Sequence, residues 1–167
     1  GVGEAAAQDG GDLGQVTYDR WCAGCHGVDG TGNGPAEGYM LPRPRDFSQA
    51  LYQLRSTASG GLPTDADLLA VIDNGMPGTT MPGWEAILSG DEKDALVGYL
   101  KTFSRFFSPD EVPEPLDFGR PTRVNDEVLA VGEAQYQAIE CRKCHGDQGR
   151  GDGESSPTLS DDGDFPV

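Results

Sequence analysis

Apolar side chains recur at helical spacing in a few short stretches, and loop-forming residues fill the gaps between them. Residues 1–11 are rich in Gly, Ala and acid and are expected to form a flexible, frayed terminus. Leu13, Val16 and Trp21 then predict one face of a helix leading into the first cysteine pair. The stretch from Gly27 to Pro44 is dense in Gly, Asp, Asn and Pro and reads as loop. A short helix is expected around Phe47 to Arg55. Thr64-Asp65-Ala66-Asp67 reads as the cap of a helix carrying Leu68, Leu69, Val71 and Ile72, and Asn74-Gly75 stops it. Ser89-Gly90-Asp91-Glu92 is a second capping box, opening a helix with Leu96, Tyr99, Leu100 and Phe103 on neighbouring faces. Pro109 to Pro121 has the composition of a linker. A last helix is expected from about Asn125, with Val128, Leu129, Tyr136 and Ile139. The pattern predicts an all-α chain, because the long Val/Ile-rich runs of a buried parallel sheet are missing.

Composition changes this picture in two ways. Among 167 residues only 36% are hydrophobic, while Gly numbers 25 and Pro 12, so aliphatic packing alone is a thin source of core. No run approaches the 18 apolar residues of a membrane span, and no membrane anchor is visible. Lys and Arg number 12 against 28 Asp and Glu, a formal charge of −16, which excludes a simple nucleic-acid or anionic-membrane binder. The acid excess is split evenly between residues 1–103 and 104–167.

The four cysteines carry the chemistry. They stand as Cys22-Ala23-Gly24-Cys25-His26 and Cys141-Arg142-Lys143-Cys144-His145, two copies of the C-x-x-C-H signature of covalent haem attachment. One helical turn lets two thiols reach the two vinyl positions of a porphyrin, and the adjacent imidazole then meets the iron. Two redox dithiols or one four-thiolate zinc site are the alternatives. Haem is favoured because the only two histidines directly follow the two pairs, and a βαβ pattern is lacking. Haem c is generally attached outside the cytoplasmic membrane. The chain is therefore expected to be periplasmic or otherwise exported, its signal peptide already absent. An internal repeat accompanies the motifs. Gly14-x-x-x-Tyr18 precedes Cys22, and Gly132-x-x-x-Tyr136 precedes Cys141 with one extra residue. Gly27, Gly30 and Gly32 are echoed by Gly146, Gly149 and Gly151. The acidic Gly loops Asp29–Asn33 and Asp147–Glu154 lack the ligand spacing of a calcium loop and are read as turns.

Residues 12–106 resemble a class I cytochrome c module. The parts that carry the likeness are Tyr18-Asp19-Arg20-Trp21-Cys22 through His26-Gly27, Pro44-Arg45-Asp46-Phe47, Gly75-Met76-Pro77-Gly78-Thr79-Thr80-Met81-Pro82-Gly83-Trp84, and the acid-capped terminal helix. Residues 107–124 would be a Pro-rich linker, and residues 125–167 resemble the first half of a second module. The whole resembles a di-haem bacterial cytochrome c. The resemblance implies two covalent haems, attached through Cys22 and Cys25 and through Cys141 and Cys144, with His26 and His145 as proximal ligands. It implies a sixth ligand from the loop before the terminal helix, Met81 rather than Met76, with Met40 a poor third. It implies a proline carbonyl accepting from His26. Pro44 is the choice, Pro35 and Pro42 remain open, and Pro157 is the counterpart for His145. Tyr52, Arg55 and Trp84 are candidates to meet the haem propionates, and ordinary packing roles remain open for them. The short remainder after His145 holds no Met, His or Cys. The expectation is that the native chain continues, with an open second site as the rival.

Two functions follow. Filled His/Met coordination implies an electron carrier relaying single electrons between redox partners, such as a periplasmic oxidoreductase or a respiratory complex. The acidity suits partners with a basic docking face. The alternative is a haem enzyme or gas-binding sensor using an open coordination site at the second haem.

Overall fold

A computed structural model of the chain describes residues 6–108 and 113–160. The parts of the expected frayed terminus, linker and second module that fall on 1–5, 109–112 and 161–167 lie outside the described residues. Among the described residues six helices run in order: α1 (Ala6–Trp21), α2 (Ala23–His26), α3 (Asp65–Asn74), α4 (Gly90–Thr102), α5 (Asp126–Ala138) and α6 (Arg142–His145). Three single 3₁₀ turns sit at Glu37–Tyr39, Phe47–Gln49 and Ser156–Thr158. Among the described residues there is no β-strand, and the fold is all-α. No described helix is long and apolar enough to cross a membrane. The chain divides into two compact units, Gly1–Leu116 and Asp117–Val167.

The first unit is organised by the crossing of α1 and α4. Gly14 lies against the backbone of α4, where a Cβ would collide with the Ala95 carbonyl oxygen. Only glycine lets the two backbones come this close. The crossing turns Thr17 and Tyr18 inward, both buried, and leaves Val16 55% exposed. Val16 is therefore not on the buried face that its apolar character suggested, because the close approach at Gly14 sets the rotation of α1. Leu68, Ile72, Leu88, Leu96, Val97 and Leu100 close the core with Tyr18 and Ala23. Tyr99 and Phe103 pack on Tyr18 with tilted rings at centroid distances of 5.5 and 4.9 Å.

Helices α3 and α4 start at the expected caps. Thr64 accepts from the Asp67 N–H while the Asp67 carboxylate accepts from the Thr64 N–H, and Ser89 and Glu92 repeat the arrangement. Asp67 also accepts from the N–H and hydroxyl of Ser56, both at 3.0 Å, so the cap pins the preceding loop. Asn125 caps α5 by accepting from the Val128 N–H at 2.8 Å.

Two expectations are corrected. The segment Phe47–Arg55 is one 3₁₀ turn, Phe47–Gln49, followed by loop, because Ala50 turns left-handed at φ 53° and ends it. Residues 6–11 of the expected flexible terminus form the first turns of α1. The stretch expected as linker from residue 107 belongs in part to the first unit. The Leu116 N–H donates to the Ser56 carbonyl at 2.9 Å, and the Phe107 ring meets Tyr52 edge-on at 6.0 Å. Tertiary bonds here override a linker-like composition.

Two expected outcomes test these contacts. Gly14→Ala should destabilise the first unit by about 1–3 kcal/mol in denaturant titration, the ordinary cost of overpacking a close contact. Asp67→Asn should cost ~2 kcal/mol at neutral pH, the scale for hydrogen bonds to a charged group. Burial raises the Asp67 pKa, but the bonds from Ser56 and Thr64 outweigh it and hold it below the ordinary value. A carboxyl depressed in the folded state contributes its full stability above the unfolded pKa and loses it as pH falls through the folded one. The gap between native chain and variant should therefore be full above about pH 5 and narrow below about pH 4.

Candidate haem centre

Helix α1 delivers the first attachment turn directly. The Cys22 N–H donates to the Tyr18 carbonyl at 2.8 Å, and the Cys25 and His26 N–H groups both donate to the Cys22 carbonyl, at 3.1 and 2.9 Å. Cys22, Cys25 and His26 are thus spaced around one helical turn. Both cysteines are free and half-buried. Burial, reinforced by the neighbouring Cys25, pushes the Cys22 thiol up to about 12. The turn ends at Gly27, whose φ of 79° favours glycine, and whose carbonyl accepts from the buried Tyr18 hydroxyl at 2.7 Å.

His26 is oriented by the segment after the loop. Its Nδ1 lies 3.1 Å from the Arg45 carbonyl. A carbonyl only accepts, so the proton sits on Nδ1 and the Nε2 lone pair is left for a metal. Burial, and secondarily the charge of Arg45, lowers the pKa of His26, although its bond to the Arg45 carbonyl opposes them. The expected acceptor, Pro44, is one residue off. Successive carbonyls on the segment point different ways, and that of Pro44 lies against Gly32. The Phe47 ring stacks on the imidazole at 4.5 Å and 21°.

The loop carrying both methionines is closed on itself. The Met76 N–H donates to the Met81 carbonyl at 3.1 Å, the Thr79 hydroxyl donates to the Met76 carbonyl at 2.8 Å, and the Met81 N–H donates to that hydroxyl's oxygen at 3.1 Å. The Trp84 N–H then ties the loop to α3 through the Ile72 carbonyl at 2.9 Å, and its ring packs on Trp21 at 5.3 Å. Met76 and Met81 are both half-buried, as is Met40 after the Glu37–Tyr39 turn.

Among the propionate candidates, Tyr52 stands out. Its hydroxyl is buried with no hydrogen-bond partner, and burial pushes its pKa up to about 12 against the opposing charge of Arg45. Arg55 donates to the carbonyls of Ala58 and Tyr52 and braces its own loop. Trp84 is engaged with Trp21, as described above. The donor set fits haem c. Two free thiols and an imidazole with its distal nitrogen unengaged share one turn, and a buried orphan hydroxyl awaits an acceptor such as a carboxylate.

The second unit repeats the main-chain bonds around the attachment turn. The Gly32 N–H donates to His26 and the Gly151 N–H to His145, at 2.8 and 2.9 Å, through the main-chain carbonyls. The pairs Gly34 to Cys25 and Gly153 to Cys144 correspond likewise, as do Ala36 to Gly24 and Ser155 to Lys143. The Tyr136 hydroxyl donates to the Gly146 carbonyl as Tyr18 does to Gly27. The extra residue before Cys141 is absorbed by Glu140 at φ 61°, so the Cys141 N–H still reaches the Tyr136 carbonyl, at 3.1 Å. This alignment corrects Pro157. It stands in the Ser156–Thr158 turn, at the place of Gly38 in the Glu37–Tyr39 turn, and not at the place of Pro44. The counterpart of Arg45 falls outside the described residues. Cys141 and Cys144 are half-buried and His145 is exposed. The acidic loop of the first unit is a turn, with Asp29 accepting from the Thr31 N–H and hydroxyl.

Reading the sequence missed the Arg45 carbonyl and the Phe47 ring. Their signal was the run Arg45-Asp46-Phe47 itself, recognised as a pattern but given no task.

Residues 10–100 match the family described as cytochrome C oxidase, cbb3-type, subunit III. The chain is 39% identical to cytochrome c55X of Stutzerimonas stutzeri over 91 residues, 52% of this chain and 61% of that protein. It is 35% identical to cytochrome c55X of Paracoccus denitrificans (strain Pd 1222) over 79 residues, 47% of this chain and 60% of that protein. The match thus spans about three-fifths of the length of these curated relatives. Among solved structures, a chain of the Kuenenia stuttgartiensis reducing HAO-like protein complex superimposes with a TM-score of 0.88 and 40% identity, covering 93% of this chain and 71% of that one. The all-α fold, the attachment turn and a family match over more than half the chain agree, and the chain belongs to the cytochrome c oxidase, cbb3-type, subunit III family of c-type cytochromes.

Proposed function

We propose that this chain is an exported, periplasmic electron carrier with two covalently held haems, relaying single electrons between redox protein partners. The observation that carries the reading is the proximal arrangement of the first unit: paired thiols, an imidazole oriented by a carbonyl, and the same main-chain bonds around the second C-x-x-C-H turn. When bound, the haem supplies a one-electron iron couple. The chain's own residues do the rest. Cys22 and Cys25 would hold the group covalently, and His26 would offer Nε2 to the iron. Met81 would supply the other protein ligand, its loop stiffened by Thr79 and by Pro77 and Pro82. Tyr52 would offer its hydroxyl to a propionate. Cys141, Cys144 and His145 would hold the second haem in the same way. The structural relative is a subunit of a redox complex by its title, which supports protein partners for this chain. The charge of −16 favours partners with a basic face and association that weakens with salt.

Acid–acetone extraction of the purified haem-bearing chain should leave two haems per chain on the protein. Cys141→Ala combined with Cys144→Ala should leave one. Free haem in the extract, or one haem on the native chain, overturns the di-haem reading. Met81→Ala should abolish the Met-to-iron charge-transfer band of the oxidised protein and lower its potential, while Met76→Ala leaves both in place. The reverse pattern transfers the ligand role to Met76. Carbon monoxide should leave the first haem's reduced spectrum unchanged, and its binding at the second would favour the open-site enzyme or sensor.

A further inference from the structure

The His26 imidazole is held from two directions by one short segment. Along the ring plane, Nδ1 meets the Arg45 carbonyl at 3.1 Å. Along the ring normal, Phe47 covers one face at 4.5 Å, nearly parallel at 21°. The in-plane bond alone leaves the imidazole able to rock about the line joining Nδ1 to its acceptor, because a carbonyl accepts over a broad range of directions. A flat ring against the face removes that freedom.

Phe47 is itself rigidly placed. Its N–H donates to the Gly30 carbonyl at 2.7 Å, linking it to the loop that follows the attachment turn. Asp46 caps the turn behind it, accepting from the Ser48 N–H at 2.8 Å and the Ser48 hydroxyl at 2.6 Å. Its ring also lies nearly parallel to that of Phe103, at 6.1 Å and 22°, and meets Tyr18 edge-on at 6.4 Å and 68°. Phe103 and Tyr18 belong to the packing of α1 on α4. The stack thus connects the imidazole to the buried core of the unit.

We infer that Phe47 is a positioning residue that sets the rotational angle of the His26 ring plane over the haem. The inference rests on His26 as proximal ligand. Ring angle decides which pair of pyrrole nitrogens shares the unpaired electron of the oxidised iron. It is therefore read in the pattern of hyperfine-shifted haem methyl resonances and in the spread of the low-spin g-values. Neither depends on turnover or on a partner.

The experiment compares Phe47→Leu, which keeps apolar bulk and removes the flat face, with Phe47→Tyr, which keeps the face, in the haem-bearing chain. Phe47→Leu should change the order or spread of the first haem's methyl shifts while the Met-to-iron band persists. Phe47→Tyr should reproduce the native pattern. If Phe47→Leu fails to fold with haem, Phe103→Leu, which removes the ring nearly parallel to Phe47, should shift the same resonances in the same sense. A haem-bearing leucine variant, at either position, with native methyl shifts overturns the positioning role and leaves the electron-carrier reading intact. A native chain with no haem on Cys22 and Cys25 overturns the electron-carrier reading itself.

Discussion

A side-chain hydrogen bond ties the end of the attachment turn to the core of the first unit: the Tyr18 hydroxyl donating to the Gly27 carbonyl at 2.7 Å. Tyr18 is fully buried at the α1–α4 crossing, and burial holds its pKa above the ordinary tyrosine range, so it remains a donor at any working pH. Without that acceptor the hydroxyl would be a buried orphan, costly by about 1–3 kcal/mol. The bond fixes where the turn ends. It thereby fixes the direction in which the loop from Gly27 departs to bring Arg45 and Phe47 back onto His26. The glycine crossing at Gly14 places Tyr18, Tyr18 places Gly27, and the returning loop places the imidazole.

The second unit separates what is local in this scheme from what depends on a core. Its attachment turn makes the same main-chain bonds, and Tyr136 makes the same bond to Gly146. Yet among its described residues only Gly146 and Gly153 are buried. Among the described residues the turn is thus accompanied by short-range bonds and left-handed glycines and by little buried apolar surface. The inserted Glu140 makes the same point. One extra residue is taken up as a left-handed kink, and the bond from Cys141 to the tyrosine carbonyl survives.

What the sequence made legible follows the same division. Both capping boxes were readable because their donors and acceptors lie within three residues of one another, and the start of α5 near Asn125 was readable too. The two C-x-x-C-H turns were readable because their thiols and imidazole stand within five consecutive residues. The Arg45 carbonyl was not readable, since which of two adjacent carbonyls faces His26 depends on the path of a long irregular loop. The rotation of α1 was hidden for a related reason. Apolar Val16 suggested the buried face, but a glycine with no side chain at all decided it. The reach of the first unit to Leu116 depends on a bond to Ser56, some sixty positions earlier, which no local composition reveals.

The thin apolar content makes chemical sense of covalent attachment. With 36% hydrophobic residues, the chain has limited side-chain area with which to grip a planar apolar group by burial alone. A ligand held only by contacts leaves when local openings expose it, and small units open often. On the proposed reading, thioether bonds at Cys22 and Cys25 would remove that escape route, so retention of the group would no longer depend on how much of it the protein covers. What coverage remains would then serve tuning: Phe47 against the imidazole face, Tyr52 with its unpaired hydroxyl, and the Trp21–Trp84 contact closing the methionine loop.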